Sequence, residues 1–180
     1  NTTATTTTYA VPDDTAEYTF TATAVSTDGQ QSTPASQSVE VARYPLVINE
    51  IAWAGTGSSA ANTRDEWIEL HNPTTAAINL SGWVLHAADN TPYIPLAGSI
   101  PAGGYFLLER TDDTAVSESA GQTYGNDGSS WALNNGGEQL ILSYASTTID
   151  QSLASNTCGN LWCHGDTSTY KTMERFLPES

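Results

Sequence analysis

Glu17-Tyr18-Thr19-Phe20-Thr21-Ala22-Thr23-Ala24-Val25 alternates, residue by residue, between apolar or aromatic side chains and threonine. Successive side chains of a strand point to opposite faces. The spacing therefore predicts Tyr18, Phe20, Ala22 and Ala24 on a core face and Thr19, Thr21 and Thr23 toward water. Asp28-Gly29 follows as a turn, because both residues tolerate positive φ. Ser32-Thr33-Pro34-Ala35-Ser36 reads as a loop and Ser38-Val39-Glu40-Val41 as the strand leading out. Thr5 to Val11 reads as a strand leading in. The same period of two recurs along the chain, with β-branched and aromatic runs between turn residues, and helical spacing never lasts beyond about two turns. The chain reads as all-β.

Residues 1–44 thus hold three strands, where a sandwich domain needs about seven. They read as part of an immunoglobulin-like or fibronectin-like domain. Tyr18, shortly after Asp13-Asp14, fits a tyrosine corner as well as it fits ordinary strand packing. Half a sandwich cannot cover its own apolar face, and its edges stay open to pairing. Either the front half is lost, or another chain or the next domain supplies the missing strands, or these strands pack on the domain that follows.

Arg43-Tyr44-Pro45 marks the boundary, since proline breaks a ladder. Beyond it, in residues 45–180, the strand candidates are Leu46 to Trp53, Glu66 to His71, Trp83 to His86, Pro92 to Pro95, Tyr105 to Glu109, Gln139 to Tyr144, Thr147 to Gln151 and Tyr170 to Phe176. Short strands with turns between them argue for a sandwich or barrel. Asn134-Asn135-Gly136-Gly137 is the strongest turn signal, and Pro101-Ala102-Gly103-Gly104 the next.

The chain has 180 residues, with 5 basic and 20 acidic side chains and a formal net charge of -15. Lys171 is the one lysine, and Arg43, Arg64, Arg110 and Arg175 are scattered. This excludes phosphate-driven nucleic-acid binding and attraction to anionic membrane surfaces, both of which need clustered cations. No apolar run approaches the roughly 18 residues of a spanning helix, so no membrane insertion is expected. The start, Asn1-Thr2-Thr3-Ala4-Thr5-Thr6, lacks the charged and apolar regions of a signal peptide and reads as a mature portion or a piece of something longer. Five Trp, eight Tyr and three Phe argue against disorder. Abundant Thr, Ser, Asn and Gly suit an extracellular or cell-surface β-protein.

Several segments, in order, resemble a known family. They are Val47-Ile48-Asn49-Glu50-Ile51, Asp65-Glu66-Trp67-Ile68-Glu69-Leu70-His71-Asn72, Ile78-Asn79-Leu80-Ser81-Gly82-Trp83-Val84-Leu85, Ile100 to Leu108, and Leu133-Asn134-Asn135-Gly136-Gly137-Glu138, closed by Tyr170 to Arg175. Together they resemble the bacterial lamin tail domain over about residues 45–176. The resemblance implies an immunoglobulin-like β-sandwich. It also implies a non-catalytic module of secreted or surface proteins, often beside hydrolases or other sandwiches, and it brings no catalytic residues. Asn156 to Thr169, an insertion-like loop, departs from the pattern.

Within that loop, Cys158 and Cys163 read as a disulfide that pins Trp162. A metal site of Cys158, Cys163 and His164 with His71 or His86 is the rival, although the spacing is not that of a zinc ribbon. Glu50, Glu66 and Glu69 lie in or beside strands and could pair with Arg64 or Arg175. Glu174-Arg175 could form a closing ion pair of its own. A glycosidase pair among the scattered acids is a chance arrangement, and no Gly-x-Ser-x-Gly elbow accompanies the histidines. Asp112, Asp113 and Asp127, in one long loop region, could take calcium, the one cofactor considered; solvated loop acids are the plainer reading. Trp53, Trp131 and Trp162 lie beside Gly- or Ser-rich turns and could stack a carbohydrate ring, although core packing explains them as well.

The functional expectation is a non-catalytic extracellular structural or binding module with protein partners. Strand addition by residues 1–43 would let it self-assemble head to tail into a surface filament. The alternative is a carbohydrate- or surface-binding appendage of a secreted hydrolase.

Overall fold

The computed structural model describes residues 16–41, 44–59, 62–125 and 131–176. The strand read at Thr5 to Val11, and Asp13-Asp14 of the tyrosine corner, lie outside them. The chain divides into two compact units, residues 1–43 and 44–180.

In the first unit, β1 (Ala16–Ala22) pairs antiparallel with β2 (Ala35–Val41) in seven consecutive register pairs, from Ala16 opposite Val41 to Ala22 opposite Ala35. The alternation read from the sequence is visible in the pairing. Thr19 and Ser38 share a hydroxyl hydrogen bond at 2.8 Å, as do Thr21 and Ser36. On the other face Tyr18 is opposite Val39. That face is not the buried core expected of it, because Phe20 and Val39 are 44% and 45% exposed. Gly29, at φ 85°, closes the turn by donating its N–H to the Ser26 carbonyl, as the Asp28-Gly29 pair predicted.

The second unit is the sandwich. Its strands are β3 (Val47–Ala52), β4 (Trp67–His71), β5 (Ile78–Asn79), β6 (Trp83–Ala87), β7 (Tyr93–Pro95), β8 (Ser99–Ile100), β9 (Tyr105–Arg110), β10 (Gln122–Tyr124), β11 (Leu140–Tyr144), β12 (Thr147–Gln151) and β13 (Met173–Glu174). One sheet runs β10-β9-β4-β3-β13 and the other β12-β11-β6-β7, with β5-β8 as a small ribbon. Among the described residues the only helical turns are short 3₁₀ segments at Asn62–Arg64 and Ser155–Cys158. The fold is an all-β, immunoglobulin-like sandwich with an additional N-terminal β segment.

Alternation builds the core. Ile68 and Leu70 of β4, Phe106 and Leu108 of β9, Leu85 and Ala87 of β6, and Leu140 and Leu142 of β11 are buried in one cluster. Each large side chain so buried contributes roughly 1.5–3 kcal/mol. Trp67 of β4 and Trp83 of β6 belong to different sheets; Trp83 is buried and Trp67 only half so. Gly82, at φ 85°, faces the Tyr144 ring, which a Cβ would approach to 3.3 Å.

Buried Asn72 replaces backbone partners where the chain leaves β4. Its Nδ2 donates to the carbonyls of Ala76 and Pro101, both at 2.8 Å, and its Oδ1 accepts from the Thr74 N–H. A buried polar group must be satisfied in this way, so Asn72 fixes two loops at once.

The sandwich's edges are interrupted. β7 has three residues and includes Pro95, β10 has three, and β13 has two. The β11–β12 ladder shifts register between Leu142 and Ser143. Short, proline-bearing and bulged edges resist further pairing.

Candidate functional site

Three constellations join loops to the sandwich. The first is built on the end of β3 and the cysteine loop. Cys158 and Cys163 form a disulfide, with Cα atoms 5.2 Å apart. Trp162 between them stacks on Trp53, ring centroids 5.7 Å apart and planes 10° apart. Both indole N–H groups are satisfied: Trp162 Nε1 donates to the Asn134 carbonyl at 2.8 Å, and Trp53 Nε1 to the His164 carbonyl at 3.0 Å. Gly137, at φ 102°, lets the Leu161 backbone approach, since a Cβ there would lie 2.5 Å from the Leu161 carbonyl carbon.

The second is a buried polar cluster at the junction of β4, β9 and β10. Arg110 Nη1 lies 3.1 Å from Glu66 Oε1, and both side chains are buried. The other Glu66 oxygen accepts the Leu133 N–H at 2.8 Å, and Glu138 accepts the next amide, Asn134, at 2.9 Å. Burial pushes the Glu66 carboxyl up to about 7, although the Leu133 N–H and Arg110 both favour its charged form. An ion pair alone would lower it. Loss of water outweighs one charged partner here. Burial likewise takes Glu138 to about 7, with Asp89 and Glu66 adding repulsion. Tyr124 is raised well above its ordinary value, by burial first and then by the nearby Glu66 carboxylate. Its hydroxyl has no hydrogen-bond partner among the described residues.

The third is the seam where β12 of one sheet meets β3 and β13 of the other. Buried Asp150 of β12 accepts the Ile48 N–H at 2.8 Å and receives Arg175 Nη2 at 2.6 Å. Arg175 Nε donates to the Ile48 carbonyl, and its backbone N–H to that of Asn49. A groove of about 350 Å³ lies alongside, lined by Ile51, Leu153, Met173 and Phe176 among others.

The family profile of the lamin tail domain matches residues 40–155. The chain belongs to the lamin tail domain family. Lamin tail domains are immunoglobulin-like modules and are typically non-catalytic, with binding or structural roles. No curated protein matches the chain. Among solved structures, the crystal structure of a DUF4876 family protein from Bacteroides thetaiotaomicron is similar at a TM-score of 0.43 and 11% identity, covering 74% of this chain. The match spans 55% of that protein's chain.

In this lamin tail domain the residues singled out by sequence separate into distinct environments. Cys158 and Cys163 are bonded to each other, so their sulfurs are not metal ligands. Trp53 and Trp162, at 6% and 8% exposure, form a wall of the core and not the open platform a sugar ring would need. Trp131 differs: it is half-buried, beside a cleft of about 380 Å³ shared with Gln122, Tyr124 and Pro95. Asp112 accepts from the Thr114 hydroxyl and Asp113 from the Ala120 N–H at 2.7 Å, so each stabilises its own loop. Asp127 lies outside the described residues. Among those described, no group of three His, Cys, Asp or Glu side chains could hold a metal ion.

The ion-pair expectations need correction. Glu66 pairs with Arg110, while Arg64 is exposed on the 3₁₀ turn. Arg175 turns away from its neighbour Glu174 and crosses to Asp150. Arg110, Glu138, Tyr124 and Asp150 were not picked out by sequence reasoning. The available signal was scarcity. In a chain with four arginines, one that closes the strand run Tyr105-Phe106-Leu107-Leu108-Glu109 is placed to meet a buried acid.

Proposed function

We propose that the chain is a non-catalytic extracellular module in which the lamin tail sandwich is the rigid body and the N-terminal hairpin makes the contact with a neighbouring chain. The contact is strand addition, and its head-to-tail repetition gives a surface filament. The observation that carries this reading is the contrast between the units. The hairpin holds the longest uninterrupted ladder among the described residues, seven pairs, and leaves Phe20 and Val39 exposed, whereas the sandwich edges are short, bulged or interrupted by proline. The disulfide supports an oxidising, extracellular setting.

Light scattering over a range of protein concentrations tests it. The chain grows beyond one subunit, and Phe20→Ser with Val39→Ser returns it to a monomer whose sandwich still unfolds cooperatively. A chain that stays monomeric with full strand content, or an assembly indifferent to both substitutions, overturns the reading.

A second reading rests on Trp131, the one candidate indole that is not buried. A carbohydrate-binding appendage would stack a sugar ring on it in the Gln122–Tyr124 cleft. Glycan binding abolished by Trp131→Ala, with the fold retained, would favour this reading over assembly.

A further inference from the structure

We infer that the outer face of the five-stranded sheet is a docking surface for a lysine- and arginine-rich segment of another protein. Strand register puts three glutamates in one line across that face: Glu174 of β13 opposite Glu50 of β3, and Glu50 opposite Glu69 of β4. The line continues to Leu107 of β9. Neighbouring strands are about 4.8 Å apart, so the three carboxylates span roughly 10 Å. Like charges directly opposite one another destabilise a sheet.

Among the described residues no cation pairs with them. The ion pairs among the described residues are Glu66–Arg110 and Asp150–Arg175, and neither involves this line. Neutral donors serve instead: the Thr172 hydroxyl donates to Glu50, and Asn49 Nδ2 to Glu69 at 2.7 Å. Glu50 is held above the usual carboxylate range by burial first, then by Glu174 and Glu69, against the Thr172 hydrogen bond. Two of the chain's five cations are committed to the internal pairs.

The adjacent row supplies a nonpolar surface. His71 of β4 is opposite Tyr105 of β9. Tyr105 is 56% exposed and stacks on the His71 ring with centroids 4.5 Å apart. A buried His71 Nδ1 beneath it has no hydrogen-bond partner among the described residues. Carboxylates in line beside Leu107 and an aromatic face complement an extended basic segment. Its long, flexible side chains would bring ammonium or guanidinium groups to the glutamates and lay their aliphatic stems on Leu107 and Tyr105. This surface belongs to the sandwich, and its assignment does not depend on the hairpin's role.

The test is fluorescence anisotropy with a labelled ten-residue peptide of alternating lysine and threonine. Three proteins are compared at low and at physiological salt: the native chain, Glu50→Gln/Glu69→Gln/Glu174→Gln, and the charge-matched control Asp28→Asn/Asp89→Asn/Glu118→Gln. The native chain binds, the first variant binds at least tenfold more weakly, and the control changes less than twofold. Tyr105→Ala adds a further severalfold loss at physiological salt. Equal weakening in both triple variants would show a general acidic field and overturn the proposal, as would no weakening in the first or no binding by the native chain. The glutamine variants keep the strand geometry, and a thermal melt at or above the native one shows that any lost binding is not lost fold.

Discussion

Arg175 clasps Asp150 across the seam between the two sheets, with Nη2 at 2.8 and 2.6 Å from its two carboxylate oxygens. The same carboxylate takes the Ile48 N–H, where the β3–β4 ladder shifts register between Ile48 and Glu50. One buried acid therefore satisfies an amide and a guanidinium on the opposing sheet. Asp150→Ala takes this acceptor from the Ile48 N–H and from Arg175 Nη2, and should cost about 3 kcal/mol. Arg175 is partly exposed, so water recovers some of this loss. Asp150→Asn keeps an acceptor for Ile48 and should cost less. Urea unfolding midpoints order the three proteins as native, Asn, Ala; an alanine variant as stable as native would show that the clasp contributes nothing.

The stacked indoles behave as core. Trp53→Ala and Trp162→Ala should each cost about 3–5 kcal/mol, the range for removing a buried aromatic. Trp162→Phe keeps a ring against Trp53 but leaves the Asn134 carbonyl without the indole N–H, at a cost of about 1 kcal/mol. Denaturant titrations resolve these classes. Native stability in both alanine variants would return the indoles to the list of binding residues.

Reducing the disulfide should loosen the same region. Closing a short loop restricts the unfolded chain by about 2 kcal/mol in the chain-entropy account. A dithiol reductant should lower the unfolding midpoint and alter the near-ultraviolet circular dichroism of the Trp53–Trp162 pair. An unchanged aromatic spectrum would mean that the loop is held by packing alone.

Stability should depend on pH through Glu66 and Glu138. Both carboxyls rise from an ordinary 4.5 to about 7 on folding. The folded state therefore holds protons that the unfolded state has released between those values. Their contribution is complete below about 4.5 and is lost as pH rises through about 7. The domain should melt at a higher temperature at pH 5 than at pH 8, by an amount worth on the order of a few kcal/mol. Glu66→Gln with Glu138→Gln should flatten that difference. Equal pH dependence in the double variant would assign the effect to general charge repulsion.

Much of the fold is legible in the alternation. Trp83-Val84-Leu85-His86-Ala87 alternates buried and half-buried positions as period two requires. The short strands at Ile78–Asn79, Ser99–Ile100 and Gln122–Tyr124 were not anticipated, since two or three residues carry no periodicity. Tyr170 to Phe176 read as a full strand, yet only Met173–Glu174 pairs with β3. Tyr170 adopts φ 55°, outside the β region that a strand requires.

By itself the sequence determined the all-β class, the turns at Asp28-Gly29 and Asn134 to Gly137, and the acidic character of the chain. These depend on local backbone preference and on composition, which neighbouring residues suffice to express. Only the tertiary structure decided that Trp53 and Trp162 face each other, that Arg110 belongs to Glu66 and Arg175 to Asp150, and that Glu174, Glu50 and Glu69 fall in line. Those relations depend on strand register and on how the sheets meet. Both are set by packing between segments more than one hundred residues apart in the case of Ile48 and Asp150.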